Sequence, residues 1–260
     1  MKIAPYGSSL SDAQWDILQL ILPKRAQRGR PPTDLRRILD AILYVLKGGI
    51  SWRMLPSDFP PWKTVYHVFR KWARQNLWAV VNDLLRPEAR ALEGKGPQPT
   101  AAILDSQSVK SDPHGGKVGY DAAKRIKGRK RHLLVDTLGL VLGATVSPAS
   151  VPEREGALDL LKGTLASFKW LRRLWVDGGY EGAPFAENVK ALQPKLEVEV
   201  VKRSDDVKGF KVLPHRWVVE RTFAWLMRHR RLVRDYETTE SSAEAWIYLA
   251  MIRIQIRRLA

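Results

Sequence analysis

The sequence predicts a mixed α/β domain preceded by a smaller helical domain, and three observations lead to this fold class. Residues 1–93 place apolar side chains at helical spacing. Residues 94–100 have the glycine- and proline-rich composition of a linker. From residue 101 onwards short apolar strands come first and then alternate with helices, which is typical of a mixed α/β domain. The predicted organisation is therefore a helical domain, a linker and an α/β domain over residues 101–260.

The first domain is predicted to contain three helices. Ser11 and Gln14 fit a capping box at the start of the first helix, and a glycine pair that begins at Gly48 ends the second. In each helix the apolar residues recur every three or four positions, so that one face is directed towards a core. The three predicted helices cover residues 11–22, 34–47 and 62–77.

The third predicted helix has one apolar side and one basic side. An apolar inner stripe with a basic outer stripe is what a DNA-reading helix in a helix-turn-helix-like domain needs. A solvated basic face on an ordinary small helical bundle explains this segment equally well. The residues of the basic stripe are Lys63, His67, Arg70, Lys71 and Arg74.

The α/β domain is predicted from apolar runs that end at polar or glycine-containing turns. A long helix starts near residue 215 and carries both apolar and basic stripes, and a last basic helix covers the C-terminal residues. The predicted strands are residues 101–104, 131–136, 141–146, 171–176 and 197–201, and the predicted helices are residues 152–168, 215–231 and 242–259.

Composition favours a nucleic-acid partner. The chain has 260 residues, with 44 Lys and Arg against 27 Asp and Glu, a formal net charge of +17. Phosphate backbones attract such surfaces through counterion release. Ribosomal and membrane-surface proteins are competing classes, but 10 Trp and many apolar runs indicate a packed globular protein. The absence of cysteine excludes disulfides, zinc ribbons and thiol catalysis. We expect a cytoplasmic protein without a membrane partner, because no signal peptide or spanning segment is evident.

Two aspartates are placed where a metal-dependent site is expected. Asp105 and Asp177 each follow an apolar strand, and ligand sites in open α/β sheets lie at the carboxyl ends of strands. Glu220, on the long helix, is a candidate third ligand, although a surface salt bridge to Arg216 or Arg221 explains a lone glutamate equally well. Carboxylate oxygens suit Mg²⁺ or Mn²⁺, and two such ions can catalyse in-line phosphoryl transfer.

Basic residues are concentrated beside these acids. Residues 108–132 contain eight Lys or Arg against two acids, together with several glycines that indicate a flexible basic loop. Residues 202–234 contain ten Lys or Arg against three acids. An acidic centre with basic surroundings suits a phosphodiester substrate. The candidate DNA contacts in these two segments are Lys127, Arg129, Lys130, Arg131, Arg216, Arg221, Arg228 and Arg231.

Four sequence blocks carry a resemblance to a known family. They are LDSQSVK at residues 104–110, GRKRHLLVDT at 128–137, VDGGY at 176–180 and RWVVERTFAWL at 216–226. These blocks resemble the DDE transposases of bacterial insertion sequences, of the insertion-sequence-five type. Residues 10–78 resemble the helical domain that precedes the catalytic core in that family. The last block is the most specific, and the resemblance covers nearly the whole chain.

The resemblance implies a ribonuclease-H-like catalytic fold in which Asp105, Asp177 and Glu220 bind two Mg²⁺ or Mn²⁺ ions. It implies hydrolysis at the end of an insertion element, which exposes a 3′-OH, followed by attack of that 3′-OH on target DNA. It also implies that the N-terminal helices bind the terminal inverted repeats. A homodimer is expected, because transposition pairs two element ends.

The chain departs from the family pattern at two positions around the last acid. Related enzymes carry a Tyr, Arg, Glu and Lys signature, in which Arg216 and Glu220 match. The Tyr position holds Leu213, and the Lys position holds Met227 with Arg228 beside it. Two alternatives to a transposase stay open: a non-catalytic DNA-binding protein, such as a repressor or an inactivated transposase, and a metal-dependent nuclease that never joins DNA.

Overall fold

The computed structural model describes residues 6–23, 33–113, 115–201 and 216–260. Within these ranges the helices are α1 (Asp12–Ile21), α2 (Leu35–Gly48), α3 (Trp62–Arg74), α4 (Leu77–Ala91), α5 (Glu153–Thr164), α6 (Ala183–Leu192), α7 (Trp217–Met227), α8 (Arg230–Val233) and α9 (Glu240–Leu259). The strands are β1 (Ala101–Lys110), β2 (Gly119–Asp121), β3 (Ile126–Asp136), β4 (Val141–Pro148), β5 (Arg173–Val176) and β6 (Glu197–Val200).

The strands form one mixed sheet. β1 pairs in antiparallel fashion with β3 and in parallel with β5, and β5 pairs in parallel with β6. Both β2 and β4 pair with β3 on its other edge. A helical region precedes this sheet, and helices flank it, so the predicted ribonuclease-H-like α/β class is confirmed. The helix-turn-helix-like character of the first region stays a prediction.

Residues that alternate along β1 face two different apolar clusters. Leu104 belongs to a cluster with side chains of α5 and α6, whereas Ile103 belongs to a cluster with side chains of α7 and α9. Because successive side chains of a strand point to opposite faces, helices cover both faces of the sheet. This arrangement decides which helix lies next to each polar residue of β1.

The N-terminal helices share a core with the C-terminal helix. Phe69 of α3 stacks on Trp246 of α9, with 4.4 Å between the ring centroids. Asn82 of α4 accepts a hydrogen bond of 3.0 Å from Gln255 of α9. The predicted linker at residues 94–100 therefore lies between segments that share one apolar core. That the two segments fold separately stays a prediction.

β1 is longer than the sequence suggested, because it continues six residues beyond the expected end at residue 104. Asp105 therefore lies within the strand instead of at its end. The continuation is stabilised by antiparallel pairing with β3, for example Gln107 with Arg131. A polar side chain of this continuation is also satisfied inside the protein: the Ser108 hydroxyl donates to Asp121 at 2.5 Å. These partners are distant in sequence, so the local composition around β1 does not reveal them.

The prediction of a flexible basic loop is wrong over residues 126–132, because these residues belong to β3. Arg129, Lys130 and Arg131 are at most 4% exposed. Arg129 pairs with Asp235 at 3.2 Å, and the Arg131 guanidinium donates to a backbone carbonyl of α8 at 2.7 Å. Buried cations are retained when they are paired, so these three residues stabilise the fold and are not among the accessible cations; their contact with DNA stays a prediction that the burial does not favour.

Two predicted helices end earlier than expected. The third stops at Arg74, because Asn76 adopts a left-handed conformation with φ of 53°, and α4 starts directly after it. The long helix stops at Met227, and α8 follows after His229. The described part of the chain has no helix that is long and apolar enough to cross a membrane.

Candidate active site

Asp105 and Asp177 lie side by side on neighbouring parallel strands. The register pairs Ala102 with Leu174 and Ile103 with Trp175, so two further residues bring Asp105 level with Asp177 just beyond the end of β5. In-register residues of adjacent strands project to the same face. For these two aspartates it is the face against which α7 packs. The predicted proximity of the two acids is therefore found, although only Asp177 follows a strand end.

The environment of Asp105 disfavours its negative charge. Burial raises the pKa of Asp105 to about 6, and the nearby charge of Asp177 also raises it. The backbone N–H of Ser106, which donates to Asp105 Oδ1 at 2.7 Å, lowers the pKa, as do Arg216 and Lys124. Two carboxylates that repel each other in a half-buried site are stabilised by a bound cation. The residues present therefore fit a divalent metal.

Glu220 is connected to this pair through Arg216. The Arg216 guanidinium lies 3.2 Å from Asp177 Oδ2 and 3.7 Å from Glu220 Oε1. The Glu220 side chain is 57% exposed. Among the described residues, no group of three His, Asp or Glu side chains is close enough to hold one metal ion. Glu220 thus forms the expected salt bridge to Arg216 and is linked through Arg216 to Asp177, while its role as a metal ligand stays a prediction.

Glu153, at the first turn of α5, is a site residue that the sequence did not reveal. Its Oε1 accepts hydrogen bonds from Ser106 Oγ at 3.0 Å and from Lys124 Nζ at 2.8 Å. Burial raises the pKa of Glu153, but the hydrogen bond and the charge of Lys124, the hydrogen bond from Ser106 and the charge of Lys130 together outweigh burial, so the pKa is lowered. Glu153 therefore links the residue that follows Asp105 to a cation. No motif or periodicity marks it, since its partners are 47 and 29 residues away.

Gly179 allows the backbone to approach the carboxylates closely. Its N–H donates to Asp177 Oδ1 at 2.9 Å, which orients that side chain at the end of β5. A Cβ atom at position 179 would lie 2.9 Å from Asp177 Oδ1 and 3.4 Å from Glu153 Oε2. A side chain here would push against Asp177, so glycine is the residue that leaves space between the two acids.

The candidate DNA contacts of α3 lie on the surface, as their spacing predicted. Lys63, His67, Lys71 and Arg74 are exposed, while Arg70 is half-buried and donates to a neighbouring tyrosine hydroxyl at 2.8 Å. Their role in DNA binding stays a prediction.

The candidate contacts near the acids differ in accessibility. Lys127 and Arg228 are exposed, and Arg216 and Arg221 are half-buried. Arg231 is 7% exposed and pairs with Glu237 at 2.5 Å, which does not favour the predicted contact with DNA. Leu213, at the Tyr position of the family signature, lies outside the described residues.

Comparison with known proteins identifies the family. A family model described as Transposase DDE domain matches residues 96–254, and one described as a putative transposase of the IS4/5 family matches residues 10–101. The chain belongs to the DDE transposase family. The recognition of an insertion-sequence transposase is therefore confirmed, and the chain is a nucleic-acid-cleaving enzyme of a class that acts on DNA.

The curated proteins that are similar to this DDE transposase include two proteins of the insertion element IS402 and one uncharacterized protein. It is 29% identical to a putative transposase for insertion sequence element IS402 of Burkholderia cepacia over 60% of the chain and 77% of that protein. It is 30% identical to an uncharacterized 16.2 kDa protein of the same element over 42% of the chain and 78% of that protein. It is also 27% identical to the uncharacterized protein y4sN of Sinorhizobium fredii, over 46% of the chain and 86% of that protein.

The raised pKa of Asp105 leads to a prediction about the free energy of unfolding. Because the folded-state pKa is raised to about 6, the folded protein binds more protons than the unfolded chain between about pH 4 and pH 6. Stability contributed by the neutral form is lost as the pH rises through this window. We therefore expect Asp105→Asn, without divalent ions, to raise the free energy of unfolding at about pH 7.5 by on the order of 1–3 kcal/mol.

Urea unfolding in EDTA measures this effect. The gain from Asp105→Asn should shrink at about pH 4.5, where the folded wild-type aspartate is already largely protonated. An equal effect at the two pH values would show that the side-chain charge is not its cause.

Proposed function

We propose that this transposase cleaves DNA at the ends of an insertion element and joins the 3′-OH to target DNA, with Asp105, Asp177 and Glu220 as its metal-binding acids. The observation that carries the proposal is the in-register Asp105–Asp177 pair on parallel strands, connected by Arg216 to Glu220 on the facing helix. Two aspartates on a sheet and a glutamate on an adjacent helix match the three acids that give the DDE family its name.

The donor set favours Mg²⁺ or Mn²⁺. All three side chains offer carboxylate oxygens, and these ions prefer oxygen ligands while leaving positions for substrate phosphate. Asp105, Asp177 and Glu220 would hold two such ions, which would supply activation of the attacking oxygen and stabilisation of the leaving oxygen in an in-line displacement. Burial and the nearby charge of Asp177 both raise the pKa of Asp105, so the negative charge of this site would be stabilised by a bound cation.

Backbone N–H groups and cationic side chains of this chain hold the acids in position. The Ser106 N–H and the Gly179 N–H each fix one oxygen of an aspartate, at 2.7 and 2.9 Å. Arg216 balances the charge of Asp177, and Lys124 balances that of Glu153. Both cations are partly exposed, with 29% and 41% of their side chains accessible, so they also attract the negative phosphodiester towards the acids.

The DNA path is proposed to follow the accessible cations. The exposed stripe of α3 would contact the terminal repeats, and a second set close to the acids would contact the strand that is cut. Since transposition pairs two element ends, we propose that two copies of the chain act together as a homodimer. The accessible cations of the second set are Lys127, Arg216 and Arg221, and Arg228, which follows the end of α7, would contact DNA outside the reacting centre.

A cleavage and joining assay tests the proposal. Purified protein is incubated with a labelled duplex that carries an element end and with a target duplex, in Mg²⁺, in Mn²⁺ or in EDTA. We expect cut and joined products only with a divalent ion, and neither product from Asp177→Asn or Glu220→Gln. Cut DNA without joined product would indicate a nuclease, and binding without any cleavage would indicate a DNA-binding protein. Normal activity of one variant would remove that acid from the proposed site.

Glu153 offers a milder test of the same site. Residues that orient metal ligands typically contribute 10- to 100-fold to activity. We expect Glu153→Gln to lower the cleavage rate by about tenfold, because it weakens the hydrogen bonds to Ser106 and Lys124. Glu155→Gln, an exposed glutamate in the same helical turn, is the matched control and should retain the wild-type rate. Equal rates for the two variants would assign Glu153 no part in the reaction.

A further inference from the structure

A second basic site lies away from the acids, in a cavity between α2, the end of α7 and α9. Its volume is about 330 Å³, which is at the lower end of the range for ligand pockets. Among the described residues that line it, five are cationic and none is acidic. The five cations come from three separate elements and are Lys47, Arg228, Arg253, Arg257 and Arg258.

The positive charge of these five side chains is not neutralised by nearby carboxylates of the described part of the chain. Within the described part of the chain, no carboxylate lies within 4.0 Å of the charged groups of these five side chains. Lys47 Nζ donates to the backbone carbonyl of Arg228 at 3.2 Å, and Arg253 donates to the carbonyls of Gly7 and Ser9 at 3.4 Å. Carbonyl contacts orient these cations without neutralising them, which leaves charge available for an anion.

The cations also repel one another. Burial lowers the pKa of Arg253 to about 10, and Arg257, one helical turn further on, lowers it as well, while Asp40 acts in the opposite direction. Like charges four residues apart destabilise a helix. The C-terminal dipole of α9 favours Arg257 and Arg258, but it does not explain why α2 and α7 direct Lys47 and Arg228 to the same place.

Trp225 positions one of the cations. The guanidinium groups of Arg221 and Arg258 lie 4.5 and 5.2 Å from its ring centroid, at distances typical of cation–π contacts. The ring is thus engaged with cations, and the cavity does not offer it as a free stacking platform for a base. Recognition of negative charge is what the lining side chains favour.

We infer that this cavity binds a backbone phosphate of DNA. Lys47 and Arg228 on one side and Arg257 and Arg258 on the other would hold the phosphate. The site rests on the proposed function only in taking DNA as the ligand. Arg228 follows Glu220 by eight residues, which places its Cα atom roughly 12 Å along the helix axis from that of Glu220. A phosphate bound in this cavity would therefore hold the DNA outside the reacting centre.

The salt dependence of DNA binding tests this inference. The full chain is titrated with a fluorescent duplex of arbitrary sequence in EDTA, at salt concentrations from about 50 to 200 mM. Each lost phosphate contact reduces the slope of log K against log salt by about 0.9. We expect Arg257→Gln with Arg258→Gln to reduce the slope by about 1, and Lys47→Gln to produce a similar loss from a different element.

A matched pair of exposed lysines is the control. Lys162→Gln with Lys169→Gln removes the same charge from the surface around α5 and should leave the slope unchanged. A thermal unfolding curve checks that each variant is folded. A wild-type slope for both the Arg257/Arg258 and Lys47 variants, or a loss equal to that of the lysine control, would overturn the inference.

Free phosphate is distinguished from DNA in a separate arm. Inorganic phosphate is compared with chloride at equal ionic strength, with the melting temperature as the readout. If phosphate stabilises the wild type but not the variant, while the DNA slope is unchanged, the cavity takes a free anion and the assignment to DNA is wrong. Because binding is measured in EDTA, failure here is distinguishable from failure of metal-dependent cleavage.

Discussion

Replacing Asp105 with asparagine is expected to lower strand cleavage by about 10³-fold or more. Asparagine has nearly the same shape, and its carbonyl oxygen can still accept from the Ser106 N–H that now binds Oδ1. What it removes is a negative oxygen beside Asp177, and with it much of the attraction for a divalent ion. The loss therefore comes from charge and not from altered packing.

Single-turnover cleavage of an element-end duplex in Mg²⁺ measures this loss. DNA binding in EDTA should be unchanged, because Asp105 is expected to act only through the metal. Asp159→Asn, at an exposed surface aspartate of α5 that pairs with Lys162, is the control for the removal of one carboxylate. If Asp105→Asn retained cleavage within about tenfold of the wild type, the residue would not belong to the catalytic centre.

Replacing Asp136 with alanine is expected to destabilise the folded protein by about 3–5 kcal/mol. Asp136 is fully buried, and its Oδ2 forms an ion pair with Arg90 of α4. Its Oδ1 accepts two backbone hydrogen bonds of 2.9 Å, from Leu138 and Leu140 in the turn after β3. Alanine would leave a buried guanidinium without a counter-charge and two backbone donors without an acceptor.

Urea unfolding at neutral pH gives the free energy of unfolding for this comparison. Asp12→Ala, which breaks an ion pair with Arg36 whose carboxylate side is 90% exposed, should change it by no more than about 1 kcal/mol. Arg90→Met combined with Asp136→Ala should cost less than the sum of the two single changes, since no unpaired charge remains. A loss below about 1 kcal/mol for Asp136→Ala would mean that the pair contributes little.

The Arg90–Asp136 pair also bears on the predicted division of the chain. It joins a helix before the linker to a strand after it, and Phe69 and Trp246 join the same two segments. If both segments unfold in a single transition and Asp136→Ala shifts all of it, they behave as one cooperative unit. Two transitions would favour the separate domains that the sequence suggested.

The spacing of residues was sufficient to predict those features that depend only on neighbours in the sequence. The helical periodicity of α2 and its ending at Gly49 follow from side-chain spacing and from the left-handed backbone with φ of 70° at that glycine. The capping box of Ser11 and Gln14 is present as predicted. Such features involve residues within about one helical turn, so the amino-acid order is enough to recognise them.

The aspartate pair was predicted for a partly incorrect reason. Asp177 does follow the end of β5, but Asp105 lies within β1, which continues because β3 supplies backbone partners. The two acids meet because the parallel register of β1 and β5 brings them level. The sequence therefore identified the correct residue types and order, whereas strand pairing determined their proximity.

By itself, the sequence determined the α/β class, the order of the three acids and the family blocks around them. Only the tertiary structure decided which cations are accessible. Arg129 and Arg131 are partnered by residues 106 and 101 positions away, and Glu153 reaches Ser106 across 47. The physical reason is that periodicity describes one face of one element. Whether a charged side chain on that face is paired inside the protein or free to contact DNA depends on elements that are distant in the chain.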